Sequence, residues 1–203
     1  MRKNNLTFFA ITVFYFFEFS QMSYFNVLAP YFLMHHIYSH AQIGSLSASY
    51  YYGDVAGLLP VGWMLDRFSL RRCLLWAITG SILAAFLLYC ASDFYLQWIA
   101  RFFCGFFGGT FSFVGGIRII SALFSRRFTL FIGLFLSAGM LGGLLCQYPL
   151  LITANRFGTS DAMLSVATFG LFVMVINFLF LRPIEHEKRD KTSLLNQNQL
   201  IRI

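Results

Sequence analysis

Charge is scarce in this chain. Asp, Glu, Lys and Arg make up 11% of its 203 residues, against about 25% in an average soluble domain. Apolar types reach 58%, with 26 Phe and 10 Tyr. A water-facing globule of this size cannot hide that much apolar surface, so lipid is the expected solvent. Catalytic signatures are missing too: no G-x-S-x-G elbow, no H-E-x-x-H and no glycine loop with a Walker lysine. His35, His36 and His40 lie in a loop rather than in a span, which removes the base that an intramembrane protease needs. An enzyme is not expected. The four cysteines (Cys73, Cys90, Cys104, Cys146) form no C-x-x-C pair and sit in apolar runs, as small buried hydrophobes do. No metal site or cofactor is predicted, because no acid accompanies the three histidines. A signal peptide is excluded as well: the first apolar run is too long, holds Glu18 and lacks a small-residue cleavage site.

What remains is a series of apolar segments. A span needs ~20 mainly apolar residues, since ~30 Å of hydrocarbon is crossed at ~1.5 Å per residue. Six are predicted, at about 6–31, 40–63, 70–90, 94–121, 128–152 and 160–182. Pro30 is expected to end the first, and Ser39 with Gln42 forms a capping box opening the second. Ser92 and Asp93 break the chain before the fourth, and residues 155–158 turn it before the sixth. The predicted fold is therefore an all-α polytopic membrane protein. Residues 1–182 form its six-helix domain and 183–203 a polar tail.

The basic residues give the topology. Arg2, Lys3, Arg67, Arg71, Arg72, Arg126, Arg127, Arg182, Lys188, Arg189, Lys191 and Arg202 fall on one side, and only Arg156 lies in a loop on the other. Short cytoplasmic loops carry the Lys/Arg excess, so both termini are expected in the cytoplasm. The net charge of +7 is spread over separate short segments, which argues against a nucleic-acid surface.

Residues 43–69 align with 132–158. Ile43 matches Ile132, Gly44 matches Gly133, Gly53 matches Gly142, Pro60 matches Pro149, Arg67 matches Arg156 and Phe68 matches Phe157. The offset pairs the second span with the fifth, as a three-plus-three inverted repeat requires. A solute site between the repeats, near mid-membrane, follows.

Ionisable residues inside spans cost roughly 2.5–3.5 kcal/mol each on insertion scales. Four occur: Glu18, Asp54, Arg101 and Arg118. Glu18 and Asp54 fall near the midplane, and Arg101 is placed to pair with either. Two readings stand. One is an acid whose protonation depends on a buried arginine, coupling it to conformation. The other is a static neutralising pair. Tyr15, Glu18 and Gln21 share a helix face by spacing, Tyr50 lies one turn before Asp54, and Gln147 sits late in the glycine-rich fifth span. Each can bond a solute or hold helices together. Arg118 is expected to snorkel at the interface. Gly105, Gly109, Gly139, Gly142 and Gly143 are candidates for close helix packing.

The charged turn from Gly62 to Arg72, with Asp66, Arg67 and Arg71, has the pattern G-x-x-x-D-R-x-x-x-R-R. It resembles the loop between helices 2 and 3 of the major facilitator superfamily of secondary transporters. Arg101 with Gly105 and Gly109 resembles that family's helix-4 signature, in which the arginine is often tied to proton coupling. The resemblance covers about residues 6–182, one six-helix half of a twelve-helix plan. It implies helices 1, 2, 4 and 5 around a cavity, with 3 and 6 outside. It also implies that the loop latches a cytoplasmic gate against a helix of the other half. On physical grounds Gly62 permits close helix approach, Asp66 can cap the third helix, and the arginines can meet carboxylates or helix C-termini. Two departures are Ser69, where the family usually has glycine, and the lack of the Gly-Pro of antiporters in span five. Uniport or proton symport of a small polar organic solute is the expectation, with an amino acid, a dipeptide or another metabolite as solute. Such transport needs a second six-helix half, by homodimerisation or from a separate chain, in a lipid bilayer expected to be a bacterial inner membrane. The alternative is a truncated, non-transporting membrane protein: a decayed gene product, or an assembly or inhibitory partner.

Overall fold

Helices follow from the composition: every backbone N–H and C=O within lipid must be satisfied inside its own segment. The computed structural model describes residues 2–181, with side chains from residue 4. The predicted tail 183–203, the basic residues Arg182, Lys188, Arg189, Lys191 and Arg202, and the side chains of Arg2 and Lys3 lie outside the described residues. Among the described residues eight α-helices run in order: α1 Arg2–Met34, α2 His40–Arg67, α3 Leu70–Cys90, α4 Phe94–Cys104, α5 Thr110–Leu123, α6 Phe128–Leu145, α7 Gln147–Phe157 and α8 Thr159–Phe180. A π-helical segment, Gly105–Gly109, joins α4 to α5, so both belong to one span, Phe94–Leu123. Likewise α6 and α7 lie in one span, Ser125–Phe157. The protein is all-helical among the described residues, as half of a twelve-helix plan would be.

Among the described residues, five helical stretches are long and apolar enough to cross a membrane. Helix α2 is not among them. Its 28 residues reach about 42 Å, but its serines, tyrosines, glycines and Asp54 lower its hydropathy. It nonetheless packs along α4 and the π segment.

Several boundaries differ from expectation. Pro30 lies inside α1 rather than ending it, since α1 runs on to Met34 and the missing N–H affects only its last turns. The fifth span is interrupted at Cys146. Pro149 cannot donate to the carbonyl of Leu145, so a new helix starts with the proline in its first turn, where the N–H has no helical partner. Residues 155–157 remain helical, and Gly158 alone makes the turn at φ 100. That left-handed conformation favours glycine.

The capping box of α2 is complete. Gln42 N donates to Ser39 Oγ at 3.3 Å and Ser39 N to Gln42 Oε1 at 2.9 Å. Ser39→Ala is expected to weaken the first turn of α2 by about 1 kcal/mol. Hydrogen exchange at the Gln42 amide should then quicken about fivefold.

One end of the bundle gathers the start of α1, the α2–α3 turn, the α5–α6 turn and the end of α8. Thr7 Oγ1 donates to Phe180 O at 3.2 Å, and Phe8 meets the rings of Phe124 and Phe131. Apolar side chains pack in two main clusters along α1. Ile11, Phe14 and Phe17 belong to the first; Phe25, Leu28 and Phe32 belong to the second. Glu18 and Gln21 fall between them. Large side chains such as Leu59, Trp76 and Tyr148 point outward, which costs little where the solvent is itself apolar.

Candidate functional site

The polar centre of the bundle forms where α1, α2, α3 and the π segment meet. Glycine makes the approach possible. A Cβ on Gly105 would overlap the carbonyl oxygen of Tyr50, and one on Gly53 would overlap that of Phe102. The backbones of α2 and the fourth span are therefore in direct contact. A Cβ on Gly108 would strike the Glu18 carboxylate, and one on Gly109 would meet Asp54 Oδ1. Both acids thus rest on the π segment, a distortion of helix geometry that recurs at functional sites.

Glu18 is buried at 1% exposure. Ser81 Oγ donates to its Oε1 at 2.7 Å, and Gln21 Nε2 donates to Ser81 Oγ at 2.9 Å. Tyr50 Oη stands 3.5 Å from Glu18 Oε2, the outer limit of a hydrogen bond. Each carboxylate oxygen has two lone pairs, so Oε2 keeps capacity for another donor. Asp54 is half-buried, and Thr110 Oγ1 donates to its Oδ1.

Arg101 pairs with neither acid. Its Nη1 donates to Gln21 O at 2.7 Å and its Nη2 to Met22 O at 3.4 Å. The guanidinium lies 5.0 Å from the Phe25 ring centre and 4.9 Å from that of Tyr50. The expected Glu18–Arg101 or Asp54–Arg101 pair is corrected accordingly. Carbonyls in the middle of α1 still have a free lone pair each. A planar fork reaches two of them while ring faces cover the cation.

Other expectations divide. Glu18, Gln21, Tyr50, Asp54 and Arg101 come together. Tyr15 is turned to α6, stacked on Phe135 at 4.2 Å between ring centres, and Gly139 lies against its ring. Gln147 is exposed at the start of α7 and has no bond to this cluster. Gly142 sits on the carbonyl of Phe16 and Gly143 on Ser23. Gly62 has nothing within 4 Å of a Cβ, so no helix approaches it among the described residues.

The turn from Gly62 to Arg72 is shorter than expected. Asp66 and Arg67 end α2, and only Phe68 and Ser69 separate it from α3. Asp66 does not cap α3; it pairs with Arg118 of α5. Arg118 therefore has a protein partner at the bundle end instead of only snorkelling. Both side chains are largely exposed, and such pairs contribute little stability. Arg71 Nη2 donates to Phe178 O at 3.4 Å, in the last turn of α8, where cations are favoured. Arg67 lies 5.0 Å from the Trp63 ring centre. Arg72 is exposed.

Ser81, Thr110 and Gly108 escaped the sequence reading. Ser81 is one of three hydroxyl side chains, with Thr79 and Tyr89, in the apolar helix of a span expected to lie outside the cavity. Thr110 and Gly108 had a signal, since they adjoin Gly109 in the motif begun by Arg101.

These features define an integral, multi-pass helical membrane protein with Glu18, Asp54 and Arg101 gathered inside the bundle. The family model described as Major Facilitator Superfamily matches residues 9–201. The chain belongs to the major facilitator superfamily, a family of membrane transporters. Comparison with curated proteins finds no match.

Proposed function

We propose that this bundle carries a small polar organic solute across the membrane by alternating access, as a uniporter or proton symporter. An amino acid, a dipeptide or another small metabolite suits the two acids and the buried Arg101. One observation carries the reading: two carboxylates, Glu18 and Asp54, rest on the glycine π segment with Arg101 one turn away. Burying so much polarity within hydrocarbon is expensive and marks solute or proton pathways. Glu18 Oε2, with spare acceptor capacity, is the proton or solute contact. Residues 1–182 act as the transport unit and 183–203 as a polar cytoplasmic tail.

The bundle works as two inverted three-helix repeats. The contacts of its glycines support this. Gly53 of α2 sits on the Phe102 carbonyl, as Gly142 of α6 sits on that of Phe16; Gly105 sits on the Tyr50 carbonyl, and at the matching positions the Phe19 ring edge reaches Gly139, whose nearest neighbour is the Tyr15 ring. One offset of 89 relates Tyr50 and Gly53 to Gly139 and Gly142, and another of 86 relates Phe16 and Phe19 to Phe102 and Gly105. The end bearing Arg67, Arg71, Arg72 and Arg118 faces the cytoplasm, where the α2–α3 turn latches the gate. A second six-helix bundle completes the pathway, because access alternates by rocking one bundle against the other.

A thermal-shift screen of metabolites on purified protein identifies the solute. Uptake of that solute into proteoliposomes is then followed with and without an inward proton gradient. For a symporter, Glu18→Gln should leave uptake insensitive to external pH. Unchanged pH dependence removes Glu18 as the coupling acid, and failure of every reconstituted assembly to transport favours a non-transporting membrane protein.

A further inference from the structure

Two apolar grooves on the outer face of the bundle share one wall. The first, about 710 Å³, lies between α3, the end of α2 and the fourth span, and its lining includes Phe68, Arg72, Trp76, Gly80, Leu83 and Phe107. The second, about 630 Å³, lies between α3 and α8, and its lining includes Arg72, Trp76, Thr79, Met174, Phe178 and Leu179. Arg72 and Trp76 line both. They are four residues apart and so stack on one helix face. Trp76, 73% exposed, stands as a ridge between the grooves, with Arg72 one turn nearer the arginine-rich end. Gly80 continues the same face one turn further on. A Cβ there would meet the Phe107 ring at 2.7 Å, so its absence lets that ring form the floor of the first groove.

The lining is almost wholly apolar. Thr79 lines both grooves, and its hydroxyl is satisfied by Leu75 O at 2.8 Å. Arg72 is exposed and makes no side-chain hydrogen bond or ion pair among the described residues. The nearest acid in sequence, Asp66, is already matched by Arg118, while Arg71 reaches the α8 terminus.

We propose that this face binds one anionic glycerophospholipid. Arg72 holds the phosphate, and the two acyl chains lie on either side of Trp76. Charge and shape both select this occupant. Among the described residues that line the two grooves the one cation is Arg72, at the head of both apolar channels, matching one phosphate above two chains. From Arg72 to Leu87, also in the lining of the first groove, α3 rises about 22 Å, more than the ~15 Å depth of one leaflet's hydrocarbon. The second groove runs from Arg72 to Thr79, about 10 Å, and holds the upper part of the other chain. Trp76 lies beside the glycerol region, a depth where indole is favoured.

The test uses the full chain in phosphatidylcholine nanodiscs, with Trp63→Phe and Trp98→Phe leaving Trp76 as the only indole. Chain-brominated phosphatidylglycerol and chain-brominated phosphatidylcholine are titrated in separately, and quenching of Trp76 is read. The anionic lipid should reach half-quenching at about fivefold lower mole fraction, the increment expected for one arginine at the membrane surface. Arg72→Gln should bring the two curves together. Single-chain lysophosphatidylglycerol should displace the two-chain lipid less well than unbrominated phosphatidylglycerol does. Native mass spectrometry of the unmutated protein gives a second reading, in which phosphatidylglycerol adducts should outlast phosphatidylcholine adducts. Coincident curves in the Arg72 protein, a preference that survives Arg72→Gln, or equal displacement by the single-chain lipid overturns the proposal.

Discussion

Replacing Gly53 or Gly142 by alanine should destabilise the bundle by about 3 kcal/mol or more, the upper range for overpacking. An added Cβ at either position would overlap a carbonyl oxygen, of Phe102 or Phe16 respectively. Backbone cannot swing aside as a flexible side chain does, so whole helices must separate. Those helices carry the polar centre. Parting α2 from the fourth span removes Tyr50 and Asp54 from the π segment, and parting α6 from α1 breaks the bond from Ser20 Oγ to Gly142 O, 3.1 Å long. Gly44→Ala and Gly133→Ala are the controls. Neither site has an atom within 4 Å of the new Cβ, and alanine is favoured over glycine in a helix by up to about 1 kcal/mol. Thermal unfolding in detergent should place the first pair well below the parent and the second pair at or above it. A uniform response across all four would show that backbone approach is not what holds the helices.

Arg101→Lys should cost about 3 kcal/mol, as loss of a buried charge's partners does, and more than Arg101→Met. Charge conservation suggests the opposite order, but geometry opposes it. The guanidinium spans two α1 carbonyls, Gln21 O and Met22 O, and lies between the rings of Phe25 and Tyr50. A lysine ammonium keeps the cost of burying a cation without the planar fork. Methionine loses the bonds but buries no charge and fills much of the space. Unfolding midpoints for the three proteins in the same detergent check the order. A lysine variant as stable as the parent would refute the carbonyl-fork account. In transport assays, both variants should lose uptake, because Tyr50 and Gln21 are positioned by Arg101 beside Glu18.

The two substitutions probe different kinds of legibility. Gly105 and Gly142 were visible as packing glycines, while Gly53 stood out only as the match of Gly142 in the repeat. Arg101 was visible as a buried cation, and its partner was wrongly expected to be a carboxylate. A sequence shows that a charge needs compensation. It does not show that a mid-helix carbonyl with a spare lone pair, or an aromatic face, can provide it. Asp66 is a parallel case: a cap for α3 seemed available nearby, yet Arg118, distant in sequence, took the contact. Ser81 is the reverse case, a residue with no local signal that became the closest partner of Glu18.

By itself the sequence determined the solvent, the helical class and the gathering of basic residues at alternate connections. These are sums along the chain: apolar runs long enough for a bilayer, and charges too costly to leave inside one. It also determined that Glu18, Asp54 and Arg101 need explaining, because each is expensive where it stands. Tertiary structure alone decided which groups they meet. That choice depends on the rotational phase of each helix, and small local events change the phase. The extra residue in a π turn rotates all that follows by about 100°. The segment Gly105–Gly109 does this in the fourth span, and Pro149 resets the fifth at Cys146. Spacing can place a residue on a helix, but only the packed bundle determines which neighbour that residue faces.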